Sequence, residues 1–433
     1  MSSLTYLDPS FDSSGLRAEF RVPIGASGIY KNDMRILNVG VAKTNNGNSV
    51  YNKLTGGYGI IRSIEIFNGA QLLDQVQEFG IYTGIKNLLN SNHDNMSVNR
   101  SLRHNKLGYV AAGDNDVTDA GYTAGVFISA NAPDLGNIVY GNDAPLVNKP
   151  ENGTWLDLSD CLGFLRSSPY IPMNVYSDLR IVITYARATQ LGYMIRDQNA
   201  TLNTLRPLLV CESEPDMDIA EKLMNAYQGV SFESVEHDVI VMPANGAGAD
   251  QINTQETSAI VKGFNNKYIS KMIVVHTPTV ATTWVSGGNA SSFANSGSVA
   301  QLDWKYQARI NGQNVFPGSY KEGAMRRLGC LTDIWGDQNV AFGQNWAGAS
   351  GGGDKFMEAD IRDTIGQASY DSIRLDDIVS EFKLSLQRGA VGKGPAGNAT
   401  DNENLRQQLN LNIYGISRKQ IIPTDTGLVI RYV

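Results

Sequence analysis

The stretch IEIFNGAQLLDQV, Ile64–Val76, and a second stretch, YQARINGQNVFPG, Tyr306–Gly318, follow one pattern. In each, an alternating apolar run meets an Asn-Gly pair, a second short run and then a helical stripe. Asn-Gly between two strand-like runs is a strong hairpin signal, because both turn residues accept φ > 0. The pairs are Asn68-Gly69 and Asn311-Gly312, one in each half of the chain. Val76, Phe79, Tyr82, Ile85 and Leu88 form the stripe after the first; Tyr320, Ala324, Leu328, Leu331 and Trp335 form it after the second. Three other Asn-Gly pairs, at Asn46, Asn152 and Asn245, lie in polar loop sequence without such flanks. The reading is a duplicated domain in which residues 57–90 and 304–335 are equivalent hairpin–helix units, a repeat of far longer period than a solenoid's.

Working outward, short alternating or wholly apolar runs dominate. LRAEFRV places Leu16, Ala18, Phe20 and Val22 on one face of a strand. Met34–Ala42, Leu179–Ala186 and Arg206–Cys211 read as buried strands, as do His237–Met242, Ile269–Thr277, Glu381–Gln387, Leu409–Ile416 and Gly427–Val433. Gly/Asn/Ser-rich loops join them, which predicts β-sandwiches or barrels in place of βαβ units. Between the halves, ESEPDMDIAEKLMNAYQGV places Pro215 at a helix start with Asp216, Asp218 and Glu221 near its first turns. The predicted organisation is a first domain over 1–214, a linker helix over 215–230 and a second domain over 231–433.

A chain of 433 residues exceeds one ordinary core and suits two or three domains. No apolar run approaches the roughly 20 residues of a bilayer crossing. The first residues, MSSLTYLDPSFDSS, carry neither a basic cluster nor an apolar core, so no secretion signal is expected. Cys161, Cys211 and Cys330 are odd in number and far apart, which disfavours a disulfide framework and fits a reducing cell interior. Net charge is −7, and the basic groupings are small: Arg100, Arg103 and Lys106; Lys321 with Arg326-Arg327; Arg418-Lys419. Direct nucleic-acid binding is therefore not expected.

Catalytic patterns are sparse. His93, His104, His237 and His276 are isolated, without the clustered His and carboxylate of a metal site. Glu233, Glu236 and Asp238 lie near His237, but at strand spacing only Glu233 shares its face. Glu212, Glu214, Asp216, Asp218 and Glu221 lack the glycine turn of a calcium loop and read as solvated acids at a helix start. RGAVGKGP, Arg388–Pro395, has two residues where a phosphate loop needs four, and Gly394 where it needs Ser or Thr. GASGG places Ser350 inside a long glycine-rich loop and not at a strand–helix elbow. Cys161 has no acid–base company and reads as a core thiol. Four of the five Trp lie between Trp284 and Trp346, a distribution that would suit glycan stacking on loops or packing beneath them. No catalytic, cofactor-binding or metal-binding residue is assigned, and no cofactor is expected.

The run TWLDLSDCLGFLRSSPYIPMNVYSDLRIVITYA, Thr154–Ala186, resembles the end of the first jelly roll in double jelly-roll major capsid proteins. These are the capsid proteins of the virophage and Polinton-like virus group, in the wider lineage of adenovirus hexon. Its marks are a short strand, the helical LGFLR, a PYIP turn and the strong strand LRIVITY. TLNTLRPLLVCESEPDM, Thr201–Met217, resembles that family's closing strand and inter-roll connection. The resemblance covers nearly the whole chain as architecture, and its motifs rest on 57–90, 154–215 and 304–335. It implies an all-β chain of two tandem eight-stranded jelly-roll sandwiches with short accessory helices. It further implies a structural capsid protein, not an enzyme, that self-associates into pseudo-hexagonal homotrimers and an icosahedral lattice of a DNA virus. Penton and minor capsid proteins are the implied partners and the virion the implied location, with loops at 110–150 and 284–300 facing outward. The rival reading is a carbohydrate-binding or carbohydrate-active β-sandwich using the Trp cluster with Asp376-Asp377, or Glu358 with Asp360.

Overall fold

The computed structural model describes residues 3–13, 15–39, 41–43, 56–83, 156–186, 201–203, 207–242, 255–278, 304–315, 370–388, 409–425 and 427–433. Along the first half run β1 (Ser3–Leu7), β2 (Phe11–Ser13), β3 (Arg17–Arg21), β4 (Ile29–Lys31), β5 (Arg35–Leu37), β6 (Val41–Lys43), β7 (Ile61–Asn68), β8 (Gln71–Val76) and β9 (Leu156–Asp157). After α1 (Leu158–Cys161) and α2 (Gly163–Ser167) come β10 (Tyr170–Pro172), β11 (Leu179–Tyr185), β12 (Thr201–Asn203) and β13 (Leu208–Ser213). Both β4 and β5 pair with β13, while β9 pairs with β5 and β10 with β4. Each couple is thus one interrupted strand, and α1–α2 form the interruption of the second. With β1 on the far side of β13, this layer has the order first–eighth–third–sixth. The facing layer is β3-β11-β7-β8, second–seventh–fourth–fifth, with β2 added at its edge. The β6–β12 pair continues the β5–β13 ladder beyond the sandwich.

The helix α3 (Met217–Ala226) follows, capped by Asp216, whose Oδ1 accepts from the backbone N–H groups of Asp218 at 2.9 Å and Ile219 at 3.2 Å. The second half then runs β14 (Val230–Met242), β15 (Gln255–Ile260), β16 (Lys267–Pro278), β17 (Trp304–Ile310), β18 (Gln313–Asn314), β19 (Tyr370–Val379), β20 (Phe382–Arg388), β21 (Leu409–Thr424) and β22 (Gly427–Tyr432). Its layers are β14-β21-β16-β19 and β15-β20-β17-β18, the same two orders, with β22 appended to β21. Strand order alone therefore defines two jelly rolls in tandem, the fold class expected from the sequence. The hairpins β7–β8 and β17–β18 occupy the same edge of the same layer in each roll.

The core follows the alternation that produced the strands. Ala18, Phe20, Ile36, Ile64, Ile66, Ile181, Ile183, Leu209 and Cys211 fill the first roll; Phe264, Met272, Val274, Phe382, Leu384, Leu411 and Ile413 fill the second. The cluster of the first roll also takes in Val230, Phe232, Tyr414 and Ile421 from the second.

Several local expectations are corrected. At the second hairpin Asn311 and Gly312 both have positive φ, 50° and 84°, as a type I′ turn requires. At the first, Asn68 pairs with Gln71 and the turn residues are Gly69 and Ala70, of which only Gly69 has positive φ. Asn68 instead uses its Oδ1 to accept from Asp178 N at 3.2 Å. Leu16 is 55% exposed in the turn before β3, off the face shared by Ala18, Phe20 and Val22. PYIP is not a turn but contributes β10, an edge strand where proline removes no ladder bond. Met34–Ala42 divides into β5 and β6. The stripe after β8 begins its helix at residue 79, and the described part ends at 83. Ile85 and Leu88 of that stripe, and all of 320–335, lie outside the described residues.

Asn311 also secures the neighbouring β19–β20 turn: its Oδ1 accepts from Ser380 N at 2.8 Å and Glu381 N at 3.2 Å, and its Nδ2 donates to Ile378 O at 2.8 Å. Asn311→Ala removes these bonds and keeps the left-handed φ, so a loss of about 2 kcal/mol is expected. Asn311→Gly should recover the φ component only. Denaturant midpoints of the three proteins check this, and equal midpoints would contradict it.

Candidate functional site: the seam between the two rolls

The first roll meets the second where α2 and β8 lie against β14 and β21. A register shift between Ile66 and Phe67 leaves Leu73 as an extra residue on β8, so Leu73 and Asp74 are both buried instead of alternating. Asp74, 0% exposed, accepts from Ser234 Oγ at 2.6 Å, Gln75 N at 2.9 Å and Phe164 N at 3.0 Å. Burial pushes its carboxyl above the usual range, against the pull of Lys419 and of these donors.

Gly163 begins α2 so close to β14 that a Cβ there would sit 1.8 Å from Glu233 O. The next residue, Phe164, meets Phe232 edge-on at 5.8 Å and Tyr176 at 5.3 Å. On the other side of the β14–β21 sheet, Tyr414 donates its hydroxyl to Glu78 O at 3.1 Å and packs on Tyr82 at 5.4 Å. Gln71 Nε2 donates to Leu428 O at 3.3 Å, which ties β8 to β22.

Behind the seam lies a buried ion cluster. Glu236 Oε1 meets Lys419 Nζ at 2.8 Å and Oε2 meets Lys267 Nζ at 2.6 Å. Ser417 Oγ and Tyr432 OH also donate to Oε1, at 3.4 and 3.3 Å, and both ammonium groups lie over the Tyr432 ring, at 5.2 Å for Lys267 and 5.4 Å for Lys419. Burial alone would raise the Glu236 pKa, but Lys419 and then Lys267 hold it below the usual range. Lys419 is held above its own range: burial opposes the charge, and Glu236 and Asp74 outweigh it.

The residues weighed from sequence as chemical candidates mostly have structural partners. His237 stacks on Tyr414 at 4.8 Å and its Nε2 lies 3.1 Å from Asn412 Oδ1. Burial holds its pKa below 6.5 despite the pull of Asn412, Glu78 and Asp238. Asp238 Oδ2 accepts from Lys262 N at 3.1 Å and Gly263 N at 3.0 Å, stapling a loop. Of the acids around α3, Glu212 pairs with Lys31, Glu214 Oε1 accepts from Asp216 N at 3.2 Å, and Asp216 is the cap. Cys161 Sγ donates to Asp157 O at 3.0 Å, and burial pushes the Cys211 thiol up to about 12. Asp376 and Asp377 are consecutive on β19, and Asp377 Oδ1 accepts from Ile378 N at 2.7 Å. Ser350, Glu358, Asp360, the loops at 110–150 and 284–300, and Trp155, Trp284, Trp335 and Trp346 lie outside the described residues. Among the described residues no three His, Cys, Asp or Glu side chains gather to hold a metal, and no helix is long and apolar enough to cross a membrane.

No family model and no curated protein matches the chain. Solved structures do. PBCV-1 VP54, in a crystal structure fitted into a reconstruction of the virophage Sputnik, is 12% identical with a TM-score of 0.55, over 100% of this chain and 97% of that one. The structure of the Sputnik virophage itself matches at 11% identity and TM-score 0.52, over 99% and 88% of the two chains. The Faustovirus major capsid protein matches at 7% identity and TM-score 0.50, over 98% and 90%. The chain thus has the double jelly-roll fold of these proteins from end to end.

Proposed function

We propose that this protein is a structural major capsid protein. Three copies form a pseudo-hexagonal capsomer, and capsomers tile the icosahedral shell of a DNA virus. The observation that carries the reading is the pair of equivalent eight-stranded rolls among the described residues, shared with solved structures of the PBCV-1 virus capsid, the Sputnik virophage and the Faustovirus major capsid protein. Two rolls side by side approximate two corners of a hexagon, and a threefold heterologous ring closes it. The rolls divide at 1–214 and 231–433 around the linker 215–230. The role is mechanical, with no enzymatic activity, metal or cofactor, and no direct genome contact. The virion is the location, and penton and minor capsid proteins are the neighbours.

The test is the mass in solution by light scattering, followed by electron microscopy of larger particles. A mass near three times 47.1 kDa is expected. Obligate interfaces of this kind bury more than about 2,000 Å², so the trimer should survive micromolar dilution. A strict monomer without particles at any salt or pH would favour the carbohydrate-binding sandwich instead.

A further inference from the structure

The layers β3-β11-β7 and β15-β20-β17 carry the same feature at the same place, near the end where β7 turns into β8 and β17 into β18. In the first roll the last outward row there is Arg21 of β3, Arg180 of β11 and Phe67 of β7. In the second roll the equivalent row is Ile260 of β15, Lys383 of β20 and Arg309 of β17. Each row thus holds two cations on adjacent strands and one apolar side chain. Phe20, Ile66, Ile181, Ala308 and Leu384 beside them are buried, so alternation turns both rows outward.

Both rows are open to solvent. Arg21 is 62% exposed and Ile260 56%, Arg309 is exposed, and Lys383 is half-buried. The Arg180 guanidinium lies over the Phe67 ring at 5.4 Å, which holds it in the row. Glu19 answers part of the first pair's charge, at 3.3 Å from Arg180 and 3.9 Å from Arg21. Arg309 donates its Nε to a carbonyl, Gly312 O at 2.8 Å, and among the described residues neither it nor Lys383 is in an ion pair. Exposed Lys262 follows two residues after Ile260. Like charges directly opposite on neighbouring strands destabilise a sheet. Two such pairs, matched between the rolls of a chain whose net charge is −7, call for an anion from outside.

We infer that each row is a docking site for an acidic peptide segment of a second protein. Its carboxylates lie on the paired cations and an apolar side chain lies on Phe67 or Ile260. Cations on adjacent strands stand roughly 5 Å apart, close enough for one carboxylate to answer both. A bilayer fits less well, because exposed Asp178, Asp377 and Glu381 at the same end would repel anionic headgroups. Nucleic acid also fits less well, since two cations in a row supply too few phosphate contacts for stable binding. Each site is complete within one chain, so the inference does not depend on how many copies associate.

The test is binding of a polyglutamate peptide to the full chain, read by calorimetry and by carbodiimide cross-linking with mass spectrometry. The parent should bind two peptides per chain, more weakly as salt rises. Arg309→Ala/Lys383→Ala should halve the amount bound at saturation, and adding Arg21→Ala should weaken the remaining site by about tenfold. Lys222→Ala, which removes an exposed cation on α3, should change neither value. Circular dichroism checks that each variant is folded. In the parent, which needs no variant, Lys383 should cross-link to the peptide ahead of Lys222. A parent that binds no polyglutamate, a folded double variant that binds as much as the parent, or equal cross-linking at Lys222 and Lys383 would overturn the sites. Vesicles of phosphatidylcholine with phosphatidylserine, or a single-stranded oligonucleotide, bound through these residues when polyglutamate is not, would overturn the acidic partner. A monomer that binds two peptides would sink the capsomer and leave both sites standing.

Discussion

A Gly163→Ala protein should lose about 3–5 kcal/mol of stability, because its new methyl group would occupy the position of the Glu233 carbonyl. Both sides of that contact are backbone, so no side chain can rotate away. Either α2 or β14 must move, and movement breaks the adjacent bond from Phe164 N to Asp74 and the Phe164–Phe232 contact. The conformation of the glycine is not the cause, since Gly163 is absent from the positive-φ residues. Gly69→Ala is the control: Gly69 has φ of 59°, and its nearest non-neighbouring atom would lie 3.9 Å from the new Cβ, so only backbone strain of about 1 kcal/mol applies. Denaturant unfolding of both variants separates the two effects. If Gly163→Ala costs no more than Gly69→Ala, the rolls are not in the close contact described.

The second large effect belongs to Glu236. Glu236→Leu leaves Lys419 as a buried ammonium without its carboxylate, and a loss of about 3–5 kcal/mol is expected. Adding Lys419→Met should restore much of the loss, because a well-packed apolar pair avoids desolvating two charges; Lys267, with a side chain 20% exposed, can still turn to water. A double variant as unstable as the single one would show that the pairing is not what matters.

The acid limb of stability carries the same signature. The folded pKa of Glu236 is depressed, so its contribution is present above the ordinary value of 4.5 and is lost as pH falls through the lower folded value. Asp74 has the opposite sign. Its raised folded pKa gives a contribution present below 3.8 that is lost as pH rises through the folded value. Glu236→Leu should therefore flatten the fall in stability below about pH 4.5, measured by thermal unfolding across acid buffers.

Much of the fold is legible in the residues because alternation is local. Phe20, Ile64, Ile66, Ile181 and Ile183 identify their strands unaided, and the two Asn-Gly contexts reveal the duplication. The linker helix is visible from Pro215 and Asp216. The seam is not legible, because its partners are distant in sequence. Asp74 meets Phe164 and Ser234 across 90 and 160 residues, and nothing around it distinguishes a buried carboxylate from a solvated one. The bulge that turns it inward depends on pairing with β7, which spacing along β8 does not encode. Gly163 reads as an ordinary helix glycine until β14 is placed beside it. The interruption that makes β9 and β10 one strand is hidden for the same reason: Pro172 reads as a turn residue, and only the pairing with Ile29 makes it a strand residue. His237 illustrates the converse. Its acidic neighbours in sequence invite a ligand reading, whereas its partners in space are Tyr414 and Asn412 on the adjacent strand.

The bond from Gln71 to Leu428 spans 357 residues, and Leu428 and Ile430 pack on the cluster formed mainly by the first roll. On the ribosome, the first roll can gather its own strands once residue 213 has emerged, but a flank of its core stays wet until residue 430 is made. At roughly 5–20 residues per second, those further 217 residues take on the order of 10–40 s. Throughout that interval the nascent chain presents the edge of β8 at Gln71, which Leu428 meets in the finished fold, to solvent. That flank is where a chaperone would bind a growing chain, and where two chains translated side by side on one message would exchange second rolls before either is complete.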